Sequence, residues 1–361
     1  MGILSNLFNK CCLCLLFLPH FVIGTTKVLP SVANKNAVNK IAMRWPGEMS
    51  PLEQKNHKTI NQCIQPTVSG IIDSGKFGLV REHSTKFHEG IDIRSFLKDK
   101  KGNPNDNVYA FLPGKVVYIN TSPSSSSYGR YVVIEHEHFL TLYAHLASVS
   151  VKVGDQVGLG KVLGVLGTSS NCTTIPKSRA HVHFEVDFRL GDQDHFSQWY
   201  SNNYKDKNHH GMYNGLNLVG VDPLSAIAFG QKNNTWNNLF REEKEAAVVQ
   251  IMTTQVPEFV RHYKVLFAPY CDLSKPVKGW KIKFTWYGLP FAWEPIYSEA
   301  QKSNSKKIIE AKLPKTNTVV RLISYRKSLQ KSAVLRNVLS ENKSTIGIGT
   351  RIISNLSKIG L

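Results

Sequence analysis

Four segments of the 361-residue chain hold side chains whose types and spacing could do chemistry. In Ala180-His181-Val182-His183-Phe184-Glu185-Val186 the flanks are β-branched and aromatic, the composition of a strand. Side chains alternate across a strand, so His181, His183 and Glu185 share one face, while Val182, Phe184 and Val186 share the other and can enter a core. Two imidazoles on one strand face stand about 7 Å apart from the rise per residue, close enough to address one site. In Phe87-His88-Glu89-Gly90-Ile91-Asp92-Ile93, the four-residue spacing puts His88 and Asp92 on one face of a helix or a strand. Gly90 and the two isoleucines favour a strand or bulged strand. Leu142-Tyr143-Ala144-His145-Leu146 adds a further imidazole, and Val151-Lys152-Val153-Gly154-Asp155-Gln156-Val157, running on to Gly167, has the pattern of a hairpin.

His88, Asp92 and His183 together supply three N/O ligands and leave a fourth position open, the donor set of a catalytic zinc site. Zinc in such a site acidifies water toward a pKa of ~7 and polarises a carbonyl. His145 and His181 nearby would serve as proton acceptor and transition-state stabiliser. Other readings compete. His136-Glu137-His138 is a second His-x-His pair and a rival metal site. His88-Glu89-x-x-Asp92 could be a zincin-like helix with Glu89 as base, but on a strand Glu89 faces away from His88. Glu185, on the histidine face, is a candidate to orient a ligand. His209-His210 lies in a polar stretch and reads as solvated.

This set resembles the M23 peptidase family, the LytM or lysostaphin-type cell-wall endopeptidases. That family carries H-x-x-x-D, then a Tyr-x-His-Leu segment, then H-x-H before Phe-Glu. Ser69-Gly70 with Phe77-Gly78 ahead of the first motif, and the Val-Gly-Asp hairpin ahead of the last, extend the likeness over about 66–225. The resemblance implies zinc on His88, Asp92 and His183, with His145 and His181 as the catalytic pair. It also implies a groove over an antiparallel sheet, with peptidoglycan stems or cross-bridges as substrate. In the family the strand matching 131–136 ends in a histidine, at the position of His136, that has no zinc role. Two stretches depart from the pattern. Phe96 to Asn107 is longer and more charged than the usual connection. Asn171-Cys172-Thr173-Thr174-Ile175-Pro176-Lys177-Ser178-Arg179 replaces a short Gly-rich loop that should border the groove, which bears on bond preference.

The elements that must position these residues are short. Val68–Ile72, Lys115–Ile119, Tyr131–Ile134, Thr141–Tyr143 and Val162–Leu166 alternate with glycine-bearing turns, which predicts an all-β antiparallel catalytic domain over 66–230, closing near Asp222-Pro223-Leu224. Gly102–Asn107 and Ser122–Tyr128 read as loops. Residues 231–361 form a basic C-terminal domain, mixed α/β or β-rich and of unknown fold. It is expected to open with a helix over Leu239–Met252, with strands at Lys281–Tyr287 and Thr318–Leu322 and an exposed basic loop at Ser303–Lys307. Trp280, Trp286, Tyr287 and Trp293 read as core.

Residues 1–24 have a polar start and an apolar run of about 14 residues, too short to span a bilayer as a helix and suited to a cleaved signal peptide. Residues 25–65 read as a linker or arm. Secretion or periplasmic location follows, with no transmembrane anchor after cleavage and no role for nucleic acid. Cys11, Cys12 and Cys14 lie in the leader, leaving Cys63, Cys172 and Cys271, an odd number at no metal-binding spacing. Net charge is +19, and 231–361 holds 22 Lys and Arg against 9 Asp and Glu. Such a balance suits an anionic envelope polymer as partner. Three function classes meet these features: a zinc endopeptidase, a catalytically inactive relative that activates a cell-wall amidase, and a biotinyl- or lipoyl-type carrier. The carrier lacks an exposed lysine with its usual flanks; inactive relatives lose ligands, and all five positions stand here.

Overall fold

Runs of β-branched and aromatic residues broken by glycine turns give this chain many short antiparallel strands. A computed structural model describes residues 40–53, 58–172, 174–240, 242–266, 271–298, 309–314, 316, 318–329, 336–342 and 345–361. The expected signal peptide at 1–24, residues 25–39 of the expected arm, and the loop at Ser303–Lys307 lie outside the described residues.

The strands before the first long helix are β1 (Gly78–Arg81), β2 (Lys86–His88), β3 (Ile91–Arg94), β4 (Asn107–Tyr109), β5 (Gly114–Asn120), β6 (Tyr131–Glu135), β7 (Leu140–Ala144), β8 (Leu146–Val149), β9 (Gln156–Val157), β10 (Val162–Leu166) and β11 (His181–Arg189). Helix α1 (Gln193–Asn203), strand β12 (Leu218–Val221) and helix α2 (Pro223–Gly230) follow. The C-terminal region holds β13 (Ala247–Met252), β14 (Gly279–Phe284), β15 (Pro290–Ile296), β16 (Ile309–Lys312), β17 (Val319–Tyr325), the hairpin β18 (Leu339–Asn342) and β19 (Thr345–Ile348), and helix α3 (Thr350–Lys358).

The central sheet runs β12-β11-β7-β6-β5-β9. Strand β11 is its axis. One edge pairs with β7 over His183–Asp187; the other pairs with β3 over His181–Phe184 and with β12 over Val186–Arg189. A smaller sheet, β4-β10-β8, packs beside it, and the C-terminal region forms its own antiparallel sheet, β15-β14-β13-β17-β16. The inward face of β11 is Val182, Phe184, Val186 and Phe188, all fully buried, and Ile91 and Ile93 of β3 join them. Antiparallel sheets ahead of residue 230 and a sheet-rich C-terminal region both agree with the fold class read from the sequence.

Local expectations differ in places. Val68–Ile72 is no strand: it is a turn leading into a 3-10 helix at Ile72–Gly75, with Val68 86% exposed. Gly70 there has φ +71°, which takes the chain out of extended geometry. The stretch expected as a helix over Leu239–Met252 ends instead in strand β13. Ala247, Val248, Val249 and Ile251 are buried between β14 and β17, and a run of β-branched residues buried on both faces suits a central strand. The described part of the expected arm, 40–53 and 58–65, lies on the domain rather than loose: Trp45 is fully buried, Arg44 N–H donates to Phe111 O, and Glu48 accepts from Asn107 N–H and the Tyr109 hydroxyl.

The basic region shares its core with the central sheet. Phe188 meets Phe240 and Tyr263 at ring separations of 5.5 and 5.0 Å, and Phe139 meets Trp236 at 5.0 Å. Trp280 and Trp293 are fully buried and Tyr287 nearly so, as expected of core residues. Tyr287 and Trp286 pack edge-on against Phe77, which precedes β1, and Phe87, which lies within β2. Helix α3 docks through Lys358, whose ammonium donates to Leu216 O at 2.7 Å and lies over the Trp199 ring. Burial, with repulsion from Arg351 added, pulls that ammonium down to about 7. Among the described residues no helix is long and apolar enough to cross a membrane.

Two outcomes follow from this packing. Phe188→Ala should cost about 3–5 kcal/mol in urea unfolding of the full chain; a cost below about 1 kcal/mol would show that the aromatic seam with 231–361 is not formed. Lys358 is held below its unfolded value of 10.5, so the unfolded chain binds more protons between pH ~7 and ~10, and stability should rise with pH across that window. In Lys358→Met this rise should flatten; parallel pH profiles for the two proteins would contradict the burial of a titrating amine.

Candidate functional site

The outward face of β11 builds the site. His181, His183, Glu185 and Asp187 project from it in alternation, while β3 places Asp92 directly opposite His183 across the strand pair. His88 ends β2 and arrives through the Glu89-Gly90 bend. A Cβ on Gly90 would sit 2.3 Å from Phe184 O, so only glycine lets the hairpin close down onto β11. His88 and Asp92 therefore meet as ends of two strands joined by a bend, which refines the reading of a single bulged strand.

His88, Asp92 and His183 are buried, and one ligand atom from each lies within 4.8 Å of the others. His88 Nε2 is 2.9 Å from His183 Nδ1 and 3.1 Å from Asp92 Oδ1; His183 Nδ1 is 3.0 Å from the same oxygen. The far nitrogens are fixed from behind. His88 Nδ1 donates to Lys76 O at 2.8 Å, and His183 Nε2 donates to Glu185 Oε1 at 2.6 Å. A ring whose far N–H is held by an oxygen presents its other nitrogen, the arrangement that orients metal-ligating imidazoles. The donor set, two imidazoles and one carboxylate, could hold a metal ion such as zinc. Among the described residues it is the one His/Cys/Asp/Glu group that converges in this way.

The charges also fit a cation. Burial disfavours the charged form of His183, but Glu185 and Asp92 outweigh it and lift the imidazole to about 9. Burial likewise opposes ionisation of Asp92, yet His88 and His181 beside it hold the carboxyl well below its usual range. The two carboxylates thus stabilise positive charge between them. Arg81 on β1 shows the same attraction: its guanidinium pairs with Asp92 and reaches His88 Nε2 at 2.9 Å.

His145 and His181 stand beside this group, with ring centres 4.9 Å apart. His181 Nε2 is 3.6 Å from Asp92 Oδ1, and its Nδ1–H donates to Arg179 O at 2.8 Å. His145 Nδ1–H donates to Ser169 O at 2.8 Å. A carbonyl can only accept, so both rings carry the proton on Nδ1 and leave an Nε2 lone pair. Burial lowers both, and the neighbouring imidazoles add to the effect at His145, taking it to about 3. His145 lies in no strand. It has φ +63° in the break between β7 and β8, where the chain leaves the central sheet for the smaller one. Left-handed geometry is uncommon for a non-glycine residue and clusters at functional positions.

The competing histidines resolve. His136 is bound by Pro113 O and the Thr141 hydroxyl, each 2.8 Å away, and neither it nor His138 joins a metal group. Glu89 points away from His88 toward Arg336, 3.5 Å distant. His210 is buried rather than solvated, with its nitrogens on the Tyr118 hydroxyl and Ser125 O, because the loop folds back under the sheet. Sequence reasoning missed Arg81, Tyr128 and Asp187. The Tyr128 hydroxyl donates to Glu185 Oε1 at 3.0 Å. Burial and the charge on Glu185 raise Asp187 well above the carboxylate range, so it is neutral. The alternation of β11 pointed to Asp187; nothing local pointed to Tyr128.

A sequence model of peptidase family M23 matches residues 86–195, which include His88, Asp92, His145, His181 and His183. No match was found among curated proteins. Solved structures similar to this chain include the catalytic domain of the prophage-encoded M23 protein EnpA from Enterococcus faecalis (26% identity, 31% of this chain and 75% of that one, TM-score 0.25). The catalytic domain of lysostaphin from Staphylococcus simulans is similar at 24% identity, covering 31% of this chain and 74% of that one, TM-score 0.23. A zinc-containing peptidase from Vibrio cholerae is similar at 31% identity, with 28% of this chain and 26% of that one covered, TM-score 0.22. The segment that the family M23 model matches, residues 86–195, carries all five converging groups.

Proposed function

We propose that this protein is a secreted or periplasmic zinc metalloendopeptidase that hydrolyses peptide bonds in bacterial peptidoglycan stems or cross-bridges. The observation that carries the reading is the convergence of His88, Asp92 and His183 on one buried point with two neutral imidazoles beside it. His88 Nε2, Asp92 Oδ1 and His183 Nδ1 would hold the zinc. Zinc, when bound, supplies Lewis acidity toward a scissile carbonyl and acidifies water. The chain's own groups do the rest. Lys76 O and Glu185 fix the two ligand rings, which keeps their other nitrogens turned toward one point. His145 and His181, with Nδ1–H tied to backbone carbonyls, present Nε2 toward the site: one would take a proton from the attacking water and pass it to the leaving amine, and the other would help stabilise the charge that develops in between. The burial that keeps both rings neutral makes their lone pairs available at neutral pH. The positive surface of 231–361 would hold the enzyme on anionic envelope polymer, since tethering near an insoluble substrate raises its local concentration.

Four measurements test this. Purified full-length protein should contain one zinc, and His183→Ala should lose metal and peptide cleavage together; stoichiometric zinc in that variant would remove His183 from the ligand set. Glu185→Gln should weaken zinc about 10–100-fold while leaving stoichiometry intact at saturating metal; unchanged affinity would make Glu185 a bystander. His145→Ala and His181→Ala should keep zinc and lose about 10²–10⁴ in turnover of wall peptides. Near wild-type hydrolysis by either would end its catalytic role, and zinc-loaded protein that cleaves nothing yet stimulates an amidase would favour the inactive-activator reading. Pelleting with sacculi should fall between low and ~0.5 M salt as surface charge is screened; salt-independent pelleting would exclude the electrostatic hold.

A further inference from the structure

Beside the catalytic imidazoles lies a cleft of about 750 Å³ whose lining includes Pro104, Arg130, Thr168, Ser170, Ile175 and Lys177. Its wall is continuous with the site. Gly167 bridges to His181, and Ser169, which also lines the cleft, takes the His145 Nδ1–H on its carbonyl. Ser169 Oγ in turn accepts from Arg130 N–H at 2.9 Å and donates to Leu146 O at 2.9 Å. Gly129, at φ +60°, permits this approach: a Cβ there would lie 2.2 Å from Ser169 O. Asn171, Cys172, Thr174, Ile175 and Lys177, from the stretch in which the chain departs from a short Gly-rich loop, also line it.

The charge of this cleft is one-sided. Arg130 and Lys177 are its charged lining residues, no carboxylate lines it, and neither cation forms an ion pair among the described residues. Asp99, the acid that senses Lys177, is already occupied by the Lys101 and Asn103 backbone N–H groups and the Asn103 amide. Arg94, the register partner of His181, and Arg179, two residues before it, add positive charge around the same histidine. Two cations lining one cleft beside the proposed reacting centre, with no carboxylate in its lining, are complementary to a carboxylate. The guanidinium can bind that group through two N–H donors and the ammonium as a point charge.

We propose that Arg130 and Lys177 form a carboxylate-binding subsite that selects wall peptides bearing a free carboxylate next to the scissile bond. This rests on the endopeptidase reading above and adds to it the chemistry of the preferred substrate. The carboxylate could be the peptide's C-terminus or that of an internal acidic residue; both offer the same two oxygens.

The test uses the zinc-loaded full chain and one cleavable wall peptide resynthesised in three forms: all carboxylates free, C-terminus amidated, and internal acid amidated. Cleavage is followed together with equilibrium binding of each form by anisotropy of a labelled copy. One amidation should raise KM and Kd about tenfold with kcat little changed, as expected for a half-exposed charge-assisted contact, and which amide does so identifies the source. Arg130→Gln and Lys177→Gln should raise KM for the free acid similarly and abolish the discrimination; Lys177 is exposed, so its replacement leaves the fold intact. Equal KM and Kd for all three forms, or discrimination that survives both substitutions, would overturn the subsite. Selective binding of the acid without cleavage would uphold the subsite and overturn the endopeptidase reading, and failure both to bind and to cleave would overturn both.

Discussion

Side chains alternate along strand β11, and that period of two is the constraint on which the site depends. Nine residues from His181 to Arg189 send Val182, Phe184, Val186 and Phe188 into the core and His181, His183, Glu185 and Asp187 to the opposite face. A slip of one residue against β3 or β7 would bury the imidazoles in the apolar layer and lift the phenylalanines out of it, so the register is fixed by hydrophobic burial. Burying two phenylalanines and two valines contributes about 1.5–3 kcal/mol each, more than any single polar contact in the site returns. The hydrophobic face therefore positions the chemical one. Asp92 follows because β3 pairs with the same strand, and His88 follows because Gly90 lets β2 fold back without a clash.

Collecting four imidazoles and two carboxylates in one place costs desolvation, and the structure meets that cost by pairing. Each carboxylate oxygen of Asp92 faces a cationic or N–H group, and Glu185 accepts from His183 and Tyr128. Asp187, one step further along the same face, has no such cation and stays neutral instead. The result is a division of labour. His183 lies where two carboxylates favour positive charge, whereas burial among other imidazoles keeps His145 neutral. One part of the site favours positive charge and the other keeps an imidazole neutral, a separation that metal-assisted hydrolysis would use.

Much of this was legible in the sequence, because alternation and glycine-marked turns are local signals. The strand at 180–186, the pairing of two histidines on its face, and the choice of His136 as a structural residue all came from spacing or from the family motif. What was not legible depends on long-range packing. The left-handed turn at His145 arises where the chain passes from one sheet to another, and no nearby residue marks it. His210 appeared solvated because its sequence neighbours are polar, yet its loop folds beneath Tyr118. The 239–252 stretch has apolar residues compatible with a helix and becomes a strand only because β14 and β17 flank it. Arg81 and Tyr128 reach the site from positions 11 and 57 residues away from their partners. The seam between Phe188 and the C-terminal aromatics had no signal beyond the aromatics themselves.

In the function proposed, two imidazoles and one carboxylate, and no sulfur, would hold a zinc ion on the outward face of β11. X-ray absorption at the zinc edge of the purified full-length protein measures that set directly, since nitrogen and oxygen neighbours lie at about 2.0–2.1 Å and sulfur at about 2.3 Å. The structure predicts a stoichiometric zinc with a purely N/O shell and the multiple scattering of two imidazoles. A sulfur neighbour, a shell of three or more imidazoles, or protein that takes up no zinc would contradict it.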